Sequence, residues 1–382
     1  MSMGLEERAT KAATWMAQSA SLWSRAGVHP SAGFWEELDM AGAPLEAETA
    51  RVRVQARQTF CFALLQRLAE SNPQFDGDRA RELCRHGLDA LVTHCRRPDG
   101  LFGRRMAHAG GLVDDTADLY DNAFTLLAFS AAAQAGHTDG AAEAGKLSAL
   151  IDIHFARPQA DDGFFEKLPT SDVRLQNPHM HLFEASLLHA AVTESAASLS
   201  RGRTIERLME TRFLNQQGGL REIFRPGWGP MEGDRLETGH QFEWVWLLHQ
   251  HAKLEDHAVT PAAETLYKTA NGLTGDGGAV FLEHHLSGSL KDSTRRCWSV
   301  TEALKAHLAR FEAGEREAAQ RACEAYDQLQ DVFLLPAAVP GGWIDRHDGL
   351  GNPLSLTMPA STGYHVYLAI AELMRVAGAA HD

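Results

Sequence analysis

Six glycine-led turns, most of them followed by an aromatic residue, recur along the chain at nearly equal steps. They are Gly33-Phe34-Trp35, Gly100-Leu101-Phe102, Gly163-Phe164-Phe165, Gly219-Leu220, Gly278-Ala279-Val280-Phe281 and Gly342-Trp343-Ile344. The steps between them are 67, 63, 56, 59 and 64 residues. A repeat of about 60 residues has room for two helices and a connection, and self-similarity at a fixed period means one supersecondary unit used repeatedly. Six such units predict a closed ring of helical hairpins.

Helical periodicity fills the gaps between the turns and predicts twelve helices, near 5–24, 46–71, 78–96, 115–136, 139–156, 179–198, 202–214, 240–255, 260–273, 294–312, 315–331 and 361–378. Strands are expected to be few, in short hairpins at the glycine turns. Within each unit an apolar helix precedes a more charged one. Leu126-Leu127-Ala128-Phe129 is apolar on most sides, whereas Glu315-Arg316-Glu317-Ala318-Ala319 has one solvated face. One helix of each pair is therefore inner and the other outer. The last unit ends on an inner helix, and the first helix has no turn before it, so it supplies the missing outer partner. The expected fold is all-α, an (α/α)6 barrel in one domain spanning 1–382, with no linker or low-complexity block to divide it.

Composition removes several classes of function. The net charge of −14 lacks the basic footprint that nucleic acid demands. The most apolar stretch, Ala123 to Ala135, is interrupted by Thr125, Ser130 and Gln134 and is too short to span a bilayer. The first residues are not a secretory signal, and the five cysteines have no CxxC spacing. Reduced thiols in a cytoplasmic protein are the simplest expectation. Neither partner class, nucleic acid or membrane, is expected, and a homodimer is among the possible assemblies.

Unusual polar residues fall in the first turns of the inner helices, at one mouth of the ring. They are Arg57, Tyr120 with Asn122, Asn177 with His179, His181 and Glu184, His240 with Glu243, Trp298 with Glu302, and Ser361 with His365. A helix N-terminus carries about +0.5 of a charge, which holds a nearby imidazole neutral and favours an anionic intermediate. Histidines beside a tyrosine, an arginine and carboxylates suit proton transfer. No serine or cysteine nucleophile arrangement accompanies them.

The stretches Arg174-Leu175-Gln176-Asn177-Pro178-His179-Met180-His181-Leu182-Phe183-Glu184, Gly239-His240-Gln241-Phe242-Glu243-Trp244, Trp298 with Glu302, and Tyr364-His365 together resemble the signature of the N-acylglucosamine 2-epimerase superfamily, which also contains mannose isomerase and sulfoquinovose isomerase. The resemblance covers essentially the whole chain. It implies a metal-free, cofactor-free barrel that opens a sugar ring and moves a proton through a cis-enediol. It also implies that His365 takes the C2 proton and delivers it to C1, the conversion of an aldose such as mannose into a ketose such as fructose, or of their 6-phosphates. His240 would assist ring opening or serve as the opposing acid/base. Arg57, Tyr120, Asn177, His181, Glu243, Trp298 and Glu302 would bind the sugar. Two positions depart from the family pattern: Arg53, where many epimerases carry tryptophan, and Ser361, where some isomerases carry glutamine. Both are expected to touch substrate, and an extra arginine would suit an anionic sugar.

Other readings stand beside this one. A 2-epimerase would use His240 and His365 on opposite faces of the enediol. A glycoside hydrolase would use paired carboxyl groups, for which Asp114-Asp115 and Asp161-Asp162 are candidates, though turn or cap roles are simpler. A non-catalytic ring that binds a partner needs no matched histidines. Zinc sites with strong signals use CxxC or HExxH, and neither occurs. Gly140 to Leu147 only approaches a phosphate-binding loop, with Leu147 where Ser or Thr is needed.

Overall fold

A computed structural model describes residues 2–158 and 162–379. Twelve α-helices are present among the described residues: α1 (Ser2–Ala26), α2 (Val52–Leu68), α3 (Gly77–Ala90), α4 (Leu119–Gln134), α5 (Thr138–His154), α6 (Gln176–Thr193), α7 (Ala196–Leu208), α8 (Thr238–Leu254), α9 (Pro261–Gly272), α10 (Cys297–Glu312), α11 (Ala318–Gln328) and α12 (Ala360–Ala379). The even-numbered helices pack side by side in the order α2, α4, α6, α8, α10, α12, and α12 returns to α2. Each odd-numbered helix lies outside them, and α1 packs against α12 and α11. The fold is an (α/α)6 barrel, with α1 as the outer partner of the last inner helix. No helix among the described residues is long and apolar enough to cross a membrane.

The inner helices are buried on nearly every side, because neighbours, outer helices and the bore surround them. In α4, Phe124, Leu126, Leu127, Ala128 and Phe129 are all buried. Aromatic pairs knit adjacent inner helices, such as Phe183 stacked on Trp244 with centroids 5.3 Å apart. The five cysteines are free and buried.

The strands are short and lie just before the inner helices and just beyond the glycine turns. Thr49–Arg51 pairs with Arg105–Ala107 of the next unit, which forms a hairpin with Leu112–Asp114. Glu37–Asp39 pairs antiparallel with Thr357–Pro359, joining the last unit to the first. These strands explain why three inner helices begin later than periodicity suggests. Residues 49–51, 117–118 and 295–296 are extended. In the third pair, the helix predicted over 179–198 stops at Thr193. Glu194 takes a left-handed backbone (φ 56), and Ser195 then caps α7 by accepting from Ser198 N–H.

The glycine turns are held by the inner helices themselves. Gln55 Oε1 accepts from Phe34 N–H at 2.7 Å, and its Nε2 donates to Phe34 C=O at 2.9 Å. Asn122 does the same for Phe102, at 2.9 and 3.0 Å. Gln241 accepts from Leu220 N–H at 2.8 Å. In the third unit His179 takes this place, accepting from Phe164 N–H at Nε2 (3.0 Å) while Nδ1 donates to Leu175 C=O (2.8 Å). All four clamps are the fourth residue of their helix. The close approach explains the glycine before the aromatic: Gly33 has φ +69, and a Cβ there would lie 2.1 Å from Gln55 Oε1. Gln55→Ala orphans a buried donor and a buried acceptor. It is expected to lower stability by about 1–3 kcal/mol in chemical denaturation.

Candidate active site

Two positions per inner helix lie on the side toward the site, though not every side chain there reaches the cavity. The second and sixth residues of the six helices are Arg53 and Arg57, Tyr120 and Phe124, Asn177 and His181, Gly239 and Glu243, Trp298 and Glu302, and Ser361 and His365. Residues four apart share a face, whereas the clamp two residues on points elsewhere. Hence Asn122 and His179 serve the turns, and their neighbours at the second and sixth positions line the bore. Eleven of the thirteen polar residues quoted above at the mouth sit on one cavity wall or directly behind it, all but Asn122 and His179. Arg57, Tyr120, Asn177, His181, His240, Glu243, Trp298, Ser361 and His365 line a cavity of about 190 Å³, together with Glu237, Arg296 and Thr362. Glu302 lies behind His365.

The three histidines differ in partners. His365 donates Nδ1–H to Glu302 Oε1 at 2.8 Å, because an ionised carboxylate only accepts. This leaves Nε2, with its lone pair, on the cavity wall. Burial, with Arg57 and Lys305 nearby, holds this imidazole well below its ordinary value, so it is neutral. His181 pairs through Nδ1 with Glu184 Oε2 at 3.2 Å, and burial outweighs that carboxylate and pushes it down to about 4. His240 is the opposite case. Burial alone would push it down, but Glu222 Oε1 at 3.0 Å and Glu237 Oε2 at 3.6 Å outweigh burial and lift it to about 10. The expectation that the helix N-terminus keeps His240 neutral is therefore corrected: two carboxylates nearby dominate a half-charge, and His240 is an imidazolium at neutral pH.

Trp298 lies between these two unlike histidines. Its ring centroid is 5.1 Å from that of His240 and 5.8 Å from that of His365. Gly239 makes the room, since a Cβ there would sit 2.3 Å from the indole. Across the cavity, Arg57 donates to Tyr120 Oη at 2.7 Å and to Ser361 C=O at 3.2 Å, and its guanidinium lies 4.1 Å over the Phe124 ring. Three carboxyl groups underlie the wall. Glu184 accepts from Tyr364 Oη and pairs with His181. Glu302 is shared by His365 and by Lys305 Nζ at 2.7 Å. Glu243 has no hydrogen-bond partner at either oxygen, and Asn177 Oδ1 has none either. Burial, reinforced by Glu302, pushes the Glu243 carboxyl well above its usual range. That shift favours its protonated form, which can donate.

Arg53 does not reach the cavity. Its Nε and Nη2 hold the two oxygens of Asp121 at 2.9 and 3.0 Å, and its guanidinium lies over the outer side of Tyr120. The expected substrate contact is replaced by an ion pair that props Tyr120. Ser361 does line the cavity. Asp114 accepts from Thr116 N–H in a turn and Asp162 stands at a left-handed turn position (φ 45), neither of them on the cavity wall; Asp161 lies outside the described residues. Gly140 to Leu147 is helical, within α5.

Sequence reading passed over Glu222, Glu237, Arg296, Thr362 and Lys305. Two positional signals were present. Glu237 and Arg296 immediately precede α8 and α10, and Lys305 follows Glu302 at i+3 on the same face. Three groups of side chains could offer a metal closely spaced ligand atoms here: His181, Glu184 and Glu243; Glu222, Glu237 and His240; and Glu243, Glu302 and His365. In the last, the Lys305 ammonium already faces Glu302; in the second, an imidazolium faces both carboxylates.

Residues 33–369 match the family described as N-acylglucosamine 2-epimerase (GlcNAc 2-epimerase). The chain is 34% identical over 394 residues to a mannose-6-phosphate isomerase of Rhizobium meliloti (strain 1021), covering 98% of each. Among solved structures, a D-mannose isomerase superposes with a TM-score of 0.87 at 20% identity, over 96% of this chain and 97% of that one. A cellobiose 2-epimerase from Spirochaeta thermophila DSM 6192 superposes with a TM-score of 0.88 at 19% identity, over 99% and 98%. At such identities these likenesses speak to the fold.

Proposed function

The chain belongs to the N-acylglucosamine 2-epimerase family, and on that premise we propose that it is a cytoplasmic aldose–ketose isomerase that interconverts mannose and fructose, or a close relative, by proton transfer. The observation that carries this reading is the unequal pair of histidines flanking Trp298. His365 is neutral with Nε2 free, and His240 is charged. A neutral base and a positive acid on one cavity wall are what an enediol reaction needs.

In this reading the His240 imidazolium protonates the ring oxygen as the C1–O5 bond breaks, and the anomeric O1–H proton passes to His240, which gives the open aldehyde and restores the imidazolium. His365 Nε2 removes the C2 proton of the open aldose. Electrons move to O1, and the resulting enediolate lies beside Arg57, His240 and the neutral Glu243, each a donor placed where negative charge develops. O1 gains a proton from this donor set. His365 returns its proton to C1 while the O2 proton leaves to the same donor set, giving C1H2OH and a C2 carbonyl. Trp298 offers an apolar face to the sugar carbons, and Asn177 Oδ1 a partner to a hydroxyl.

The carboxylate partners of Arg53, Arg296 and Arg235 favour an uncharged hexose over its 6-phosphate. Arg53 is held by Asp121, Arg296 by Asp345 at 2.9 Å, and Arg235 by Glu237 and Glu283 at 2.6 and 2.7 Å. The charge state of His240 and His365 also serves a two-base 2-epimerase, so product identity decides. Mannose, glucose, fructose and their 6-phosphates are incubated with the protein in D2O and followed by NMR. Ketose from free mannose supports the reading; only a C2-inverted aldose overturns it in favour of epimerisation. No metal is needed in this scheme, since Arg57, His240 and Glu243 polarise the substrate. Exhaustive chelation is expected to leave the rate unchanged, and loss of activity restored by zinc would contradict that.

A further inference from the structure

Lys305 is fully buried, yet it touches no cavity lining group that would meet a sugar. Its ammonium lies 2.7 Å from Glu302 Oε2 and 4.1 Å over the ring of Trp246. A buried lysine on the wall of an apolar bore is costly unless its charge is used. The other oxygen of the same carboxylate accepts from His365. Lys305, Glu302 and His365 thus form a line from the interior to the cavity. We propose that Lys305 is a positioning residue of the active site: it keeps Glu302 ionised, and the ionised Glu302 holds His365 in the tautomer whose Nε2 accepts a proton. The proposal rests on the reading of His365 as the base.

The alternative state shows why this matters. A protonated Glu302 would present its own O–H to Nδ1. The imidazole would then carry its hydrogen on Nε2, toward the cavity, and could not accept another. Burial pushes Glu302 up from the usual carboxylate range, and Lys305 is the foremost group opposing that shift. The surrounding charges cannot replace it. Facing this pair from α8 are His240 and Glu243, from α6 across the bore His181 and Glu184, from α12 Tyr364 and His365, and from α2 Arg57. Of the carboxyl groups, Glu184 is compensated by Tyr364 and His181, and Glu243 has no hydrogen-bond partner and is pushed toward its protonated form by burial. Glu302 is the one that must stay charged beside the base, and Lys305 is the only cation at ion-pair distance from it among the described residues.

The test is the pH profile of kcat and of kcat/KM for the wild type, K305M, E302Q and E302Q/K305M. Methionine keeps the length of the side chain over Trp246 and removes the charge. In K305M the acidic limb of kcat is expected to move up by about 1–3 pH units, with little change in KM. At neutral pH kcat is expected to fall about 10- to 100-fold. E302Q/K305M is expected to match E302Q within about twofold, because Lys305 then has nothing to hold ionised. A K305M enzyme that loses thermal stability but keeps its acidic limb in place would overturn the proposal. So would a double variant worse than E302Q by the full K305M factor. Should K305M not fold, the comparison of E302Q/K305M with E302Q decides alone, the carboxylate left unpaired being gone from both. The parent reading fails separately: it falls if H365N retains C2 exchange, whatever Lys305 does.

Discussion

Replacing His365 with asparagine is expected to lower kcat by about 10⁴-fold, at the upper end for loss of a positioned general base. Asparagine is the informative substitute. Its amide can still donate to Glu302, where His365 Nδ1 donates at 2.8 Å, so the buried carboxylate keeps a partner. What disappears is Nε2. The other histidines on the wall cannot stand in for it: His181 lies in the arc with Tyr120 and Phe124, its ring 4.9 Å from the Tyr120 ring, and His240 is already protonated. The C2 hydrogen should cease to exchange with solvent, while circular dichroism and melting temperature stay near those of the wild type. Exchange at C2 within tenfold of the wild type would remove His365 from the role of base.

Replacing His240 with glutamine is expected to lower kcat by about 10²- to 10³-fold and to change the alkaline side of the pH profile. His240 is raised to about 10 against burial by Glu222 and Glu237, so the wild-type rate should fall as pH approaches that value. Glutamine has no proton to lose, and its residual rate should be flat there. Glu222→Gln removes the nearer carboxylate and should bring the same alkaline fall to lower pH. Stability follows the same linkage. A histidine of unfolded pKa about 6.5 that is raised in the fold contributes stability in full below that pH. The contribution is lost as pH rises through about 10. Between pH 7 and 10 the wild type should therefore lose more stability in chemical denaturation than the glutamine variant does. An alkaline limb that survives unchanged in the glutamine variant would assign it to another group.

The barrel was legible because its signals are local. Glycine turns, apolar inner helices and charged outer helices repeat along the chain, and the place of Tyr120, Asn177, Trp298 and Ser361 in the first turns of the inner helices put them at one mouth. Charge states were not legible in the same way. His240 owes its proton to Glu222, a residue just after the preceding glycine turn that looks like any surface glutamate until that turn packs on α8. Arg53 is claimed by Asp121, 68 residues away, so its freedom to meet substrate could not be read from its place on α2. Asn122 and His179 sit amid the polar residues of their helices, yet a two-residue shift around the helix turns them to the glycine turns. Position along a helix separates clamp from site, and the precise start of that helix, set by the preceding strand, fixes the count.

The central claim is that one neutral histidine carries a hydrogen as a proton between neighbouring sugar carbons. Its most direct test is the fate of deuterium in mannose labelled at C2 and turned over in ordinary water to low conversion. The account predicts ketose with deuterium divided between C1 and solvent, because a proton held on His365 Nε2 both transfers and exchanges. Complete delivery of deuterium to C1 with none lost to water would mean a hydride shift and would contradict it, as would loss of the label to give only the C2-inverted aldose.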